Sequence, residues 1–194
     1  AEILERNILA FFYQGEITQV LRWLELLPEP LLLKHPLLCA VYAASIALQP
    51  PYPPKSLLVA EKWMRTAEDA LSNGFQSGNL VRAFIYQIRS YWARYRGEPP
   101  EIVLQLIGKA FSFLPKDSSA SLDRNQLFIR SALQVNMGFI YWTAGDQDAA
   151  REAFIEARKI SGACDDLFNE SASVIQLVRM SCLHGRLGEG ALLD

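Results

Sequence analysis

The stretch LFIRSALQVNMGFIYWTAGDQDAAREAFIEARKIS, Leu127 to Ser161, decides the fold. It reads as two antiparallel helices joined by a short turn at Ala144-Gly145-Asp146. In the first helix, Gly138 is small enough to admit a close neighbour, and Tyr141 lies three residues on, on nearly the same face. In the second, Ala150, Phe154 and Ala157 fall at i, i+4 and i+7, a narrow stripe of small, large and small residues. A pair with so thin a stripe cannot bury it alone and must stack on another pair, the logic of a helical repeat.

The rest of the chain varies this theme. Residues 3–14 form an apolar-striped helix, Gly15-Glu16 turns the chain, and a second stripe runs from Val20 to Leu27 until Pro28-Glu29-Pro30 stops it. Pro36 suits the first turn of a helix reaching Leu48, kept thin by Ala40, Ala43, Ala44 and Ala47. The proline-rich QPPYPPK, Gln49 to Lys55, reads as a stiff insertion within a pair, and the alternative is a proline-motif ligand. Ser56 is expected to cap a helix that runs to Leu71 and ends at Gly74. A helix follows from Asn79 to Arg96, then a turn at Gly97. Its partner starts at Pro99-Pro100, with Val103, Ile107, Ala110 and Leu114 inward. The polar run Lys116 to Ser121 is a loop. Beyond the central pair a last helix is expected from Asn169 to His184, with a turn at Gly185 and a partner cut off at Asp194. No strand-like alternation or Asn-Gly hairpin signal occurs.

The order Met137-Gly138, Tyr141, Gly145, Ala150, Phe154, Ala157 resembles the tetratricopeptide consensus, departing from it at Gln134, where a bulky aromatic is usual. Two phrases, Arg22-Trp23-Leu24-Glu25-Leu26-Leu27-Pro28 and Arg89-Ser90-Tyr91-Trp92-Ala93-Arg94-Tyr95-Arg96-Gly97, resemble the helical-repeat region of large ATP-binding LuxR-type transcription regulators, the MalT-like family. The turn glycines suit that variety. Gly15 to Gly97 covers two repeats of about 41 residues, Gly97 to Gly145 one of 48 and Gly145 to Gly185 one of 40, against about 34 in a plain array. The expectation is an all-α superhelical array of five antiparallel helix pairs, the last incomplete. Residues 1–194 then form one helical-repeat domain, a fragment of a longer bacterial regulator.

The resemblance implies an effector-sensing segment between a nucleotide-binding switch and a helix-turn-helix, neither present here. No enzymatic activity and no cofactor of its own are expected. The partner is a small-molecule inducer or a regulatory protein, with self-association in the full-length protein.

Composition is compatible with this reading. Hydrophobic residues make up 51% and charged residues 21%, a globular balance. A net charge of -2 supplies no positive field to collect phosphates, which argues against direct nucleic-acid binding. Three scattered cysteines suit a reducing, cytoplasmic compartment, and no apolar run suggests a membrane span or signal peptide. Gly108-Lys109 lacks the earlier glycine of a phosphate-binding loop. His35 and His184 are far apart without ligand neighbours, so His35 reads as a surface residue and no metal site is expected. Asp146, Asp148, Asp165 and Asp166 read as helix-start charges rather than an acid-base pair.

Registering the pairs on their turn glycines places Gln87, Tyr91 and Arg94 on the inner face, followed by Val135, Phe139 and Trp142, then Ile175 and Arg179. Aromatic faces with guanidinium groups suit a planar or acidic effector. The expected effector contacts are Gln87, Tyr91, Arg94, Phe139, Trp142 and Arg179. Two other readings stand beside this one: Tyr91, Phe139 and Trp142 as inter-repeat core, and the whole face as a groove for a partner helix or peptide.

Overall fold

A computed structural model describes residues 2–48, 54–72, 78–116 and 123–183. These residues are helical and contain no strand. The elements are α1 (Glu2–Tyr13), α2 (Ile17–Glu25), α3 (Glu29–Leu32), α4 (Pro36–Leu48), α5 (Pro54–Ser72), α6 (Gly78–Tyr95), α7 (Pro100–Ser112), α8 (Arg124–Ala144), α9 (Gln147–Cys164) and α10 (Leu167–Leu183). Helices α1–α2, α4–α5, α6–α7 and α8–α9 pack as sequential pairs, and α10 packs on α9. Residues 49–53, Gly74, residues 117–122 of the expected loop, His184, Gly185 and the expected last partner helix lie outside the described residues.

Three of the turns are closed alike. Gly15, Gly97 and Gly145 adopt left-handed φ values of 86°, 72° and 85°, which cost glycine little because it has no Cβ. After each, the next amide reaches back five residues: Glu16 N donates to Phe11 O, Glu98 N to Ala93 O and Asp146 N to Tyr141 O. Each bond satisfies a carbonyl that the helix end would leave orphaned. The turn between α9 and α10 has the same closure, Asp166 N to Ser161 O, but its left-handed residue is Asp165, with φ 57°.

Sequence expectation and structure differ at several points, and the last helix starts at Leu167 rather than Asn169. Pro28-Glu29-Pro30 ends α2 and also begins the single turn α3, because Pro30 sits where a missing N–H costs nothing. Helix α5 starts at Pro54, so Ser56 lies inside its first turn instead of capping it. His35 is half-buried rather than a free surface residue: Nδ1 lies 2.7 Å from Glu5 Oε2, tying α1 to the start of α4. Asp123 caps α8 in a reciprocal box: Gln126 N donates to Asp123 Oδ1, and Asp123 N to Gln126 Oε1.

One continuous core runs from Ile8 in α1 to Cys164 in α9. Its centre is α4, whose sequence PLLCAVYAASIAL is apolar on every side and which touches α1, α2, α3, α5 and α6. A smaller cluster gathers Val135, Ala150, Phe154, Ala157, Leu177 and Met180 where α8, α9 and α10 meet. Helix α1 also reaches elements far along the chain. The Tyr13 ring stacks on Phe128 of α8 at 5.1 Å, and Phe12 meets Phe84 of α6 edge-on at 5.5 Å. Arg130 is a packing residue, its guanidinium over Phe111 and its Nη2 donating to Pro115 O.

Candidate functional site: the Arg94 clamp

Helix α6 presents Gln87, Tyr91 and Arg94 at i, i+4 and i+7, and α8 presents Val135, Phe139 and Trp142 at the same spacing, so each set forms one stripe. The two helices are neighbours. The stripes divide along their length. Gln87 and Val135 are buried, whereas Tyr91, Arg94, Phe139 and Trp142 are partly exposed. Gln87 accepts a hydrogen bond at Oε1 from the Tyr13 hydroxyl, 3.0 Å away, so α1 covers that end of the face.

At the open end Arg94 lies between two rings. Its guanidinium carbon is 4.5 Å from the Phe139 centroid and 5.2 Å from that of Tyr91. Its Nε donates to Asn136 Oδ1. Asn136 Nδ2 donates to Ser90 Oγ at 2.9 Å, and Ser90 Oγ donates to Gln87 O at 2.7 Å. Every member of this chain has a partner of the right sense, so the guanidinium is fixed rather than free to swing.

No carboxylate among the described residues pairs with Arg94, and its terminal nitrogens make no hydrogen bond there. Burial pushes its pKa down, and the neighbouring Tyr91 partly offsets this. Arginine remains charged through such a shift. Arg89, five residues back on α6, is the contrast: it donates to Glu68 and Glu61 of α5 and is neutralised. Arg94 is therefore a cation that has lost part of its hydration and gained two ring faces, with its terminal nitrogens unbonded among the described residues.

Trp142 lies three residues beyond Phe139 on the same stripe of α8, and both pack against the smaller cluster. Arg179 is exposed on α10 and donates to Gln176, and Ile175 is likewise exposed. Ser90 and Asn136 were not among the expected site residues. Their signal was present, since a polar side chain on the buried face of an apolar helix requires a partner.

A second polar cluster lies between α8 and the start of α10. Asp166 is fully buried; it caps α10 by accepting from Asn169 N, and its Oδ2 lies 2.6 Å from Ser131 Oγ and 2.7 Å from Asn169 Nδ2. Burial raises its pKa first, the Asn169 and Ser131 hydrogen bonds lower it, and Glu170 raises it; the net direction is up. Asp146 caps α9, and the exposed Asp165 meets Arg124 at 3.3 Å. Among the described residues no group of three or more His, Cys, Asp or Glu side chains could hold a metal, and no helix is long and apolar enough to cross a membrane. No family model matches the chain, and no curated protein or solved structure is significantly similar to it.

Proposed function

We propose that this chain is the effector-sensing segment of a MalT-like LuxR-type transcription regulator, a superhelical array of tetratricopeptide-like pairs that takes an acidic effector at Arg94. The observation that carries the reading is the guanidinium held between Tyr91 and Phe139 with no carboxylate partner among the described residues. The repeated glycine turns support the array, as does the close crossing at Gly138. An effector carboxylate or phosphate completes the ion pair through the guanidinium fork, while its planar part packs on Phe139 and Trp142. Because Arg94 and Tyr91 belong to α6 whereas Phe139 and Asn136 belong to α8, the ligand bridges two helix pairs. It favours whichever arrangement of the pairs keeps all four residues together, as a sensor requires.

The test is a thermal-shift screen against carboxylates, phosphates, neutral sugars and amino acids. A ligand at one hundred times its dissociation constant adds about 2.7 kcal/mol, a rise of several degrees. The expected result is a shift from one anionic class, lost in Arg94→Ala. A shift that survives that substitution, or one confined to neutral compounds, removes Arg94 from the site.

The second reading, a scaffold for a partner helix or peptide, is favoured by one face of α10. Phe168 and Ile175, seven residues apart, are 63% and 56% exposed, an unusual loss of burial for such side chains. A stoichiometric partner retained in the presence of every anionic effector class, and released by Phe168→Ser, would favour it.

A further inference from the structure

We propose that Asn136 is the positioning residue that makes the Arg94 site selective for anions, because it holds the guanidinium through an oxygen that carries no charge. This role rests on the acidic-effector reading of Arg94 and assigns the selectivity to one buried side chain of α8.

The hydrogen bonds leave the Asn136 amide one orientation. A guanidinium only donates, so the atom that meets Arg94 Nε must be Asn136 Oδ1. Asn136 Nδ2 is then turned to Ser90 Oγ, 2.9 Å away, and needs an acceptor there. The Ser90 hydroxyl has one proton, which goes to Gln87 O at 2.7 Å, so its oxygen is left to accept. Ser90 and Asn136 are both buried, and neither side chain has a second protein partner that would favour the inverted amide.

The amide thus supplies direction without charge. Arg89, on the same helix, shows the opposite arrangement: it donates to the carboxylates of Glu68 at 2.7 Å and Glu61 at 2.9 Å. Such an arginine already holds its anions. Arg94 meets two rings and one neutral oxygen, so no formal negative charge balances it among the described residues. Aspartate has nearly the shape of asparagine and would fit the same place. One oxygen would accept from Arg94 Nε and the other from Ser90 Oγ, whose proton can turn from Gln87 O. The residue at position 136 therefore decides whether Arg94 attracts an external carboxylate or is satisfied from within.

The test follows the Arg94 guanidinium in the whole chain labelled with ¹³C and ¹⁵N, with acetate and its neutral isostere acetamide as probes at constant ionic strength. Arg94→Lys identifies the Cζ–Nε signal, and the indole signals of Trp23, Trp63 and Trp92 report that each variant is folded. In the wild type, acetate is expected to shift the Arg94 signal saturably and acetamide to leave it in place. In Asn136→Asp the acetate shift is expected to disappear. In Asn136→Leu, which is neutral and offers no oxygen, acetate is expected still to act and acetamide not, with saturation at a higher acetate concentration than in the wild type. An acetate shift that survives in Asn136→Asp overturns the proposal. Asn136→Leu decides it independently if the aspartate variant does not fold. A response there equal to the wild type means that Asn136 does not position Arg94, and a response abolished in the folded chain means that it acts by packing and not by charge; either overturns the proposal. These outcomes leave the acidic-effector reading standing, whereas no acetate shift in the wild type removes that reading and this role together.

Discussion

A methyl group on Gly138 would sit 2.6 Å from the Phe154 ring, closer than carbon atoms approach. Helices α8 and α9 therefore cross where the absence of a side chain on one admits an aromatic ring of the other. Phe154 is fully buried and cannot swing into solvent. Gly138→Ala gains about 1 kcal/mol of helix propensity and incurs an overpacking cost of about 1–3 kcal/mol. The expected outcome is a net loss of stability in urea unfolding. In a Phe154→Leu background the same substitution should be milder, with a coupling of at least about 0.5 kcal/mol. Purely additive effects would mean that the two residues do not share the crossing.

Tyr13→Phe tests whether α1 closes one end of the inner face. The substitution keeps the ring that stacks on Phe128 and removes only the hydroxyl that donates to Gln87. Gln87 Oε1 is then buried without a donor, which costs about 1–3 kcal/mol and lowers the melting temperature by several degrees. A melting temperature equal to the wild type would show that Gln87 finds water and that this end of the face is open.

How far the sequence could be read follows from how local each cause is. A glycine turn, a proline at a helix start and a 3.6-residue stripe are written in a few adjacent residues, and Gly15, Pro36, Gly97, Gly145 and Phe154 all take the structural parts expected of them. The turn at Asp165 has the same backbone form without the glycine that signals it. The return of α1 onto α6 and α8 depends on residues 74 and 115 positions apart, Tyr13 with Gln87 and Tyr13 with Phe128, and no periodicity encodes such a pairing. For the same reason a helical register placed Gln87, Tyr91 and Arg94 on one stripe but could not tell which part of that stripe another helix covers.

The cysteines differ sharply in accessibility. Burial pushes the thiols of Cys39 and Cys164 up to about 12, whereas Cys182 is exposed on α10. At pH 8 a thiol with that pKa is roughly one part in ten thousand thiolate, and the thiolate is the reactive form. A disulfide reagent should therefore titrate one thiol rapidly in the folded chain and three after denaturation. Two fast thiols would show that the end of α9 around Cys164 opens readily.

Asp166 makes stability depend on pH in a direction opposite to that of an ion-paired carboxylate. Ser131 Oγ has one proton and two neighbouring acceptors, Phe128 O at 2.9 Å and Asp166 Oδ2 at 2.6 Å. With Asp166 protonated, its Oδ2–H donates to Ser131, which donates onward to Phe128, while Oδ2 still accepts from Asn169 Nδ2. Burial likewise favours the neutral acid, raising the folded-state pKa above the ordinary aspartate value of 3.8. The folded chain thus holds this proton to higher pH than the unfolded chain does. The stability it contributes is complete below about pH 3.8 and is lost as pH rises through the folded-state value. Asp166→Asn keeps the shape and the capping oxygen and has no proton to lose. Measured by urea unfolding at pH 4, 5.5 and 7, the wild type should be less stable relative to Asp166→Asn at pH 7 than at pH 4, the loss levelling off once pH passes the folded-state value. Parallel profiles would mean that Asp166 is ionised throughout and that the hydrogen bonds from Asn169 and Ser131 outweigh its burial.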